Sequence, residues 1–163
     1  MNITSYDGKD YEINGCLGCF LEKNNINILY KDETFNVAQD FELPINGFII
    51  ISANKHISSI NDLTEIEQLK LIKLISKVLK LLKSYGICEN YNIVQEEKSD
   101  YHFHVWLMPS QKWMKDKFGN TLKNIKSIQE YSKANLKTED NLRDISITCK
   151  KLKRDLNNWK GEK

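Results

Sequence analysis

Tyr101-His102-Phe103-His104-Val105-Trp106-Leu107-Met108-Pro109 carries two of the chain's three histidines, and its alternation reads as a β-strand closed by proline. Successive side chains of a strand point to opposite faces. His102, His104, Trp106 and Met108 therefore share one face, while Phe103, Val105 and Leu107 are expected to enter the core. Two imidazoles on an open face suit metal binding, acid–base chemistry or nucleophilic attack.

Outward from this strand, Tyr91–Gln95 reads as a neighbouring strand, joined to it by the short polar loop Glu96–Asp100. Asn27–Lys31, Thr34–Gln39 and Gly47–Ser52 are short, rich in β-branched or aromatic residues and separated by turn-forming residues. The unbroken apolar run Phe48-Ile49-Ile50-Ile51 marks a central strand, with Pro44-Ile45-Asn46-Gly47 as the turn before it. Thr64-Glu65-Ile66-Glu67 is a capping box that opens a helix to about Tyr85, where Gly86 stops it. Ile66, Leu69, Ile72, Val78, Leu79 and Leu82 are expected to form its buried stripe. Beyond Pro109 the pattern is helical. Ser127-Ile128-Gln129-Glu130 reads as a second capping box, and a last helix runs from about Thr138 to Trp159 with Leu142, Ile145, Cys149, Leu152 and Leu156 on one face. The expected fold is α+β: residues 1–113 form an antiparallel sheet of about five strands with a long helix, and residues 114–163 form a helical extension packed on it as one unit.

At 163 residues, 40% hydrophobic and 28% charged, the chain is the size of one domain and has an ordinary globular composition. No apolar run reaches the roughly 18 residues of a membrane helix. The first fifteen residues are polar and read as no signal peptide, so a cytoplasmic location is expected and the Asn2-Ile3-Thr4 triplet is not read as a glycosylation site. Four cysteines are too few for a disulfide scaffold. Charge is uneven: residues 1–109 balance to −5 and residues 110–163 to +7. The basic segment is either a cationic neighbour for a phosphate-bearing ligand or a set of solvated helix faces. Its aromatics Trp113, Phe118, Tyr131 and Trp159 are too scattered for a base-stacking platform, so nucleic acid is not the expected partner.

Cys16-Leu17-Gly18-Cys19 places two thiols at a spacing that can chelate one tetrahedral ion, and it is equally the spacing of a redox pair. A closed site would need two further donors. His56, in the turn after the central strand, and His102 could supply them, tying three segments together.

A Cys-x-x-Cys near the start, a Lys-His after a central strand and the His-x-His run before Pro109 together resemble the histidine triad (HIT) superfamily over about Cys16–Pro109. The resemblance implies a five-stranded antiparallel sheet, usually dimerised, and nucleotidyl transfer through a histidine. His104 matches the histidine that attacks the α-phosphorus. In the zinc-bearing branch, which includes galactose-1-phosphate uridylyltransferase, a structural zinc is held by residues matching Cys16, Cys19, His56 and His102, one ion per chain. Asp40, sixteen residues before His56, matches the ribose-binding aspartate, and Ser99 matches a phosphate-binding serine. Gln95 and Trp106 complete the expected substrate contacts.

Two features depart from the family pattern. Trp106 stands where the third histidine, or the glutamine of the transferases, would be; it can donate one N–H or stack, but it cannot be a general acid. The loop Glu96-Glu97-Lys98-Ser99-Asp100 lacks the Gly-Gly-Gln stretch of many members. The expected function is hydrolysis of dinucleoside polyphosphates, such as diadenosine polyphosphates, or related nucleoside phosphoesters. The alternatives are a nucleotidyltransferase or phosphorylase, and a catalytically weak nucleotide-binding protein.

Overall fold

The computed structural model describes residues 1–97 and 102–159. Five strands form one antiparallel sheet: β3 (Ile28–Lys31), β4 (Phe35–Gln39), β5 (Ile49–Ala53), β6 (Tyr91–Gln95) and β7 (His104–Pro109), in the order β3-β4-β5-β7-β6. The apolar run places β5 at the centre, as its composition predicts. β3 starts one residue later than expected because Asn27 has φ +57°, a left-handed conformation that no strand accommodates. Within the working stretch, the strand itself begins at His104; His102 and Phe103 precede it in extended loop, and Tyr101 lies outside the described residues.

The N-terminal residues, read above only as polar, form a hairpin of β1 (Asn2–Thr4) and β2 (Asp10–Glu12). Three-residue strands carry too little periodicity to be seen in sequence. A short helix, α1 (Leu17–Lys23), follows, with Cys16 as its N-cap.

The long helix α2 (Glu65–Ser84) opens on the expected capping box: Glu67 N–H donates to Thr64 Oγ1 at 3.3 Å, and Thr64 N–H donates to Glu67 Oε2 at 2.8 Å. It ends at Gly86, whose φ of +74° is open to glycine at no steric cost. Its buried face, however, is Leu71, Leu74, Ile75, Val78 and Leu82; Ile66, Leu69 and Ile72 are 69%, 65% and 61% exposed. The helix is apolar on more than one side, so periodicity alone does not choose the face. The positions of the sheet and of the last helix choose it.

α3 (Lys112–Phe118), α4 (Ile125–Asn135) and α5 (Glu139–Asn158) follow the sheet. α4 starts before the expected second capping box: Asn124 is its N-cap, and Ser127 lies inside the first turn. α5 begins at Thr138, whose hydroxyl accepts from Asn141 N–H at 3.3 Å.

The sheet separates two cores. Phe35, Val37, Ile49, Ile51, Phe103, Val105 and Leu107 pack with α2 and with Leu152 and Leu156 of α5. On the other face Phe48 and Met108 join Leu43, Ile45, Met114 of α3 and Ile128 of α4, with Trp106 against their edge. Residues after Pro109 thus contribute to both cores. α5 also covers the β3 edge, where Asn157 Nδ2 donates to Leu29 O at 2.9 Å. Among the described residues no helix is long and apolar enough to cross a membrane.

Candidate metal centre and adjoining cavity

His102 and His104 take their positions from β7 and from the backbone just before it. Ala53 N–H donates to Phe103 O at 3.2 Å, and Phe103 N–H donates to Ile57 O at 2.7 Å, which locks the approach to β7 against the end of β5. The His102 ring is buried, and its Nε2–H donates to Ala53 O at 2.5 Å because a carbonyl can only accept. That bond leaves Nδ1 as the lone-pair nitrogen. Burial, followed in smaller measure by the neighbouring histidines, pushes the His102 pKa down and favours the neutral ring a metal requires.

Nδ1 of His102 lies 3.4 Å from Cys16 Sγ and 3.4 Å from Cys19 Sγ; His56 Nδ1 is 3.4 Å from Cys19 Sγ. All four donor atoms lie within 4.8 Å of one another. Zinc–sulfur and zinc–nitrogen bonds of ordinary length at a tetrahedral angle put S and N roughly 3.6 Å apart. Two thiols and two imidazoles at this spacing fit a closed tetrahedral zinc site. The Ala53 carbonyl on the far side of His102 is the outer partner that fixes a ligating imidazole. Cys16 Sγ also accepts the Cys19 N–H at 3.4 Å, a consequence of its place as the α1 N-cap. Burial and the Cys16 thiol push the Cys19 thiol up to about 11, so without a cation Cys19 retains its proton. Gly18 has its own reason to be glycine: a Cβ there would stand 2.6 Å from His102 Cγ. Helix α1 can lie on the imidazole only because that position has no side chain.

His104 Nδ1–H donates to His102 O at 2.7 Å. This fixes its tautomer and leaves Nε2 as the nitrogen that carries the lone pair. His104 lines a cavity of about 480 Å³ that also includes Asp40, Trp106, Asn36 and Ser52 from the sheet, Cys16, Leu17, Gly18 and Leu21 from the α1 segment, and Met1 and Ile3 from the N-terminal hairpin. The hairpin and α1, neither of them foreseen as structure, form its outer wall. The packing of Tyr11 against Phe20 and Phe41, with ring centroids 6.3 and 5.3 Å apart, holds that wall in place.

Asp40 lines the same cavity, and its Oδ1 accepts from Glu42 N–H at 2.9 Å and Leu43 N–H at 2.8 Å. It therefore caps the turn after β4 while facing the cavity. Burial raises its carboxyl to about 6, against the pull of those two amides. Trp106 lines the cavity with its ring centroid 6.1 Å from that of His104 and packs edge-on against Phe48 at 5.7 Å. Gln95 is set apart. It is exposed, and its register partner is Val105, so it lies on the face of the sheet opposite His104. Ser99 lies outside the described residues. None of the basic residues after Pro109 lines the cavity among the described residues. Lys133 pairs with Glu42 at its rim.

No protein-family model matches the sequence, and no curated protein matches it. Solved structures do match. A zinc-bound histidine triad family protein from Mycobacterium smegmatis is similar over 88% of this chain and 97% of its own, at 12% identity and TM-score 0.61. A hypothetical histidine triad nucleotide-binding protein from Sulfolobus tokodaii is similar over 90% of this chain and 100% of its own, at 18% identity and TM-score 0.57. A HIT family protein from Bacillus anthracis is similar over 84% of this chain and 96% of its own, at 22% identity and TM-score 0.56. With its five-stranded antiparallel order and these matches along most of its length, the chain has the fold of the histidine triad proteins.

Proposed function

We propose that the chain is a nucleotidyl-transferring enzyme that hydrolyses dinucleoside polyphosphates or related nucleoside phosphoesters through a nucleotidyl-histidine intermediate on His104. The observation that carries this reading is the His104 tautomer: Nδ1–H is held by the His102 carbonyl, and the ring lines a cavity of about 480 Å³, within the size range of small-ligand sites. In the first step Nε2 forms a bond to the α-phosphorus while the bond to the leaving-group oxygen breaks. The carbonyl stabilises the positive charge that develops on the ring. In the second step the oxygen of water displaces Nε2 and loses one proton to solvent, releasing a nucleoside monophosphate and restoring His104. Cys16, Cys19, His56 and His102 would hold a zinc ion as a closed set of four donors, and the part of that ion would be to fix the segment that carries His104.

Trp106 favours a second form of the same reading. It offers no acid to the leaving group. Substrates whose leaving group departs as a polyphosphate anion fit this cavity better than those whose leaving group must be protonated. Phosphate or another acceptor in place of water would make the enzyme a phosphorylase or transferase. Incubating purified protein with a diadenosine polyphosphate, with and without added phosphate, separates these forms by their products. No turnover and no adduct from a zinc-loaded protein would leave a nucleotide-binding protein.

Asp40 is the proposed ribose contact, and its titration gives the reading a pH signature. The folded chain holds the Asp40 proton more tightly than the unfolded chain, so ionisation of Asp40 costs stability above about pH 6, a cost absent below about pH 4. Asp40→Asn keeps an oxygen for the two turn amides and removes the charge. It is expected to raise the thermal midpoint at pH 7 but not at pH 4, and to weaken nucleoside binding. Wild-type affinity for a nucleoside is expected to increase as pH rises through about 6, where the carboxylate becomes able to accept both ribose hydroxyls. A pH-independent affinity would remove Asp40 from the site.

We also propose a homodimer formed at the β6 edge. β6 is the edge strand that α5 leaves open, and Ile93 on it is 56% exposed. Ile93→Lys is expected to convert a dimer to a monomer in sedimentation equilibrium; a wild-type monomer at micromolar concentration would refute the assembly.

A further inference from the structure

Cross-strand register sets a polar row across the floor of the cavity: Asn36 of β4 is opposite Ser52 of β5, and Ser52 is opposite His104 of β7. All three line the cavity. The next cavity-facing row, Ala38–Ile50–Trp106, is apolar apart from the indole N–H. Ser52 ends the isoleucine run of the central strand and sets a half-buried hydroxyl on the cavity wall. Among the described residues the Ser52 hydroxyl has no hydrogen-bond partner in the protein. Its neighbour Asn36 is 4% exposed and does have one: Asn36 Nδ2 donates to Asn54 Oδ1 at 3.2 Å, and Asn54 Nδ2 donates to Asp32 O at 2.7 Å. One of the two Asn36 amide N–H groups thus holds that side chain in place, while the Ser52 hydroxyl is wholly uncommitted.

We propose that the Ser52 hydroxyl binds the phosphate that His104 attacks, donating to one of its oxygens; this rests on the nucleotidyl-transfer reading of the cavity. Directly opposed residues of an antiparallel pair hold their Cβ atoms about 5 Å apart. A phosphorus atom in contact with the His104 ring therefore brings its oxygens within reach of Ser52. The row itself contains no carboxylate, so its hydrogen-bond donors face an anion without an opposing acidic side chain among them. Trp106 supplies no imidazole to the phosphate, and Ser52 contributes a donor from the adjacent strand in its stead.

The test compares binding of the four common ribonucleoside 5′-monophosphates and of their parent nucleosides to the full chain, by calorimetry, for wild type, Ser52→Ala and Ser52→Thr. Ser52→Ala is expected to weaken monophosphate binding about tenfold, the loss of one hydrogen bond to a charged group, and to leave nucleoside binding unchanged. Ser52→Thr retains the hydroxyl on a residue favoured in strands and is expected to restore most of that loss. Equal weakening of nucleoside and monophosphate, or none of either, would overturn the assignment of Ser52 while leaving the nucleotide cavity intact. Failure of the wild type to bind any monophosphate or nucleoside would overturn the nucleotide reading itself.

Discussion

His104→Ala is expected to lower turnover of a dinucleoside polyphosphate by at least about 10³-fold and to abolish a nucleotidyl adduct detectable by intact mass in the wild type. The size of the effect follows from the role. A nucleophile that divides one displacement into two cannot be replaced by its neighbours, and what remains is the contribution of binding and orientation. His102, the other ring of the run, has its Nε2–H on Ala53 O and its Nδ1 toward two sulfurs, so it cannot take over the attack. The buried backbone bonds that place residue 104 belong to Ala53, Phe103 and Ile57. The substitution therefore leaves the fold intact, and an unchanged thermal midpoint is part of the expected result. An adduct that persists in His104→Ala, on another residue, would sink the mechanism.

The second large effect is on the metal centre. Wild-type protein is expected to contain one zinc per chain by elemental analysis, and Cys19→Ser to contain almost none, with a fall in thermal midpoint of about 10 °C or more. The four donors come from the N-terminal α1 segment, the loop after β5 and the approach to β7, separated by as much as 86 residues. A metal holding three such segments resists unfolding in proportion to its affinity for the folded chain. The same ion would anchor α1, which is a wall of the cavity. Gly18→Ala tests the geometry without removing a donor. Its Cβ meets the His102 ring at 2.6 Å and is expected to lower zinc affinity roughly 10-fold to 100-fold, in the range seen for lost outer contacts of a ligand. Full zinc content in Cys19→Ser, or a wild type that takes up no zinc from a metal-buffered solution, would refute the centre.

Much of the fold is legible in the sequence. The inward set Phe103, Val105 and Leu107 appears in the structure as read, because a period of two is strict and a buried face leaves no alternative register, whereas the face read as open is partly covered: His102 and Met108 are buried too. The central position of β5 followed from an apolar run that only a strand covered on both faces can bury. The α2 start followed from the chemistry of four adjacent residues. The four donors that cluster in the structure were legible as residue types and spacing, although spacing alone left a redox pair open for Cys16 and Cys19.

Tertiary structure decided the rest. Ile66, Leu69 and Ile72 match the helical period as well as the residues that are buried, and only the sheet and α5 select Leu71, Leu74 and Ile75 in their place. The hairpin β1–β2 and the seven-residue α1 exist because they pack over the cavity and the His102 ring, not because their sequences favour them in isolation. Gln95 and Asp40 were both candidate substrate contacts, Asp40 on its spacing from His56. Strand pairing turned one to the opposite face and brought the other into the cavity. Ser52 drew no attention in the sequence, since its place beside His104 arises from the pairing of strands more than fifty residues apart. The sequence by itself determined the strand alternation, the helix signals and the identity of the donors. The tertiary structure determined which faces are buried and which polar groups meet, because long-range register and burial are properties of the packed sheet and not of any local window.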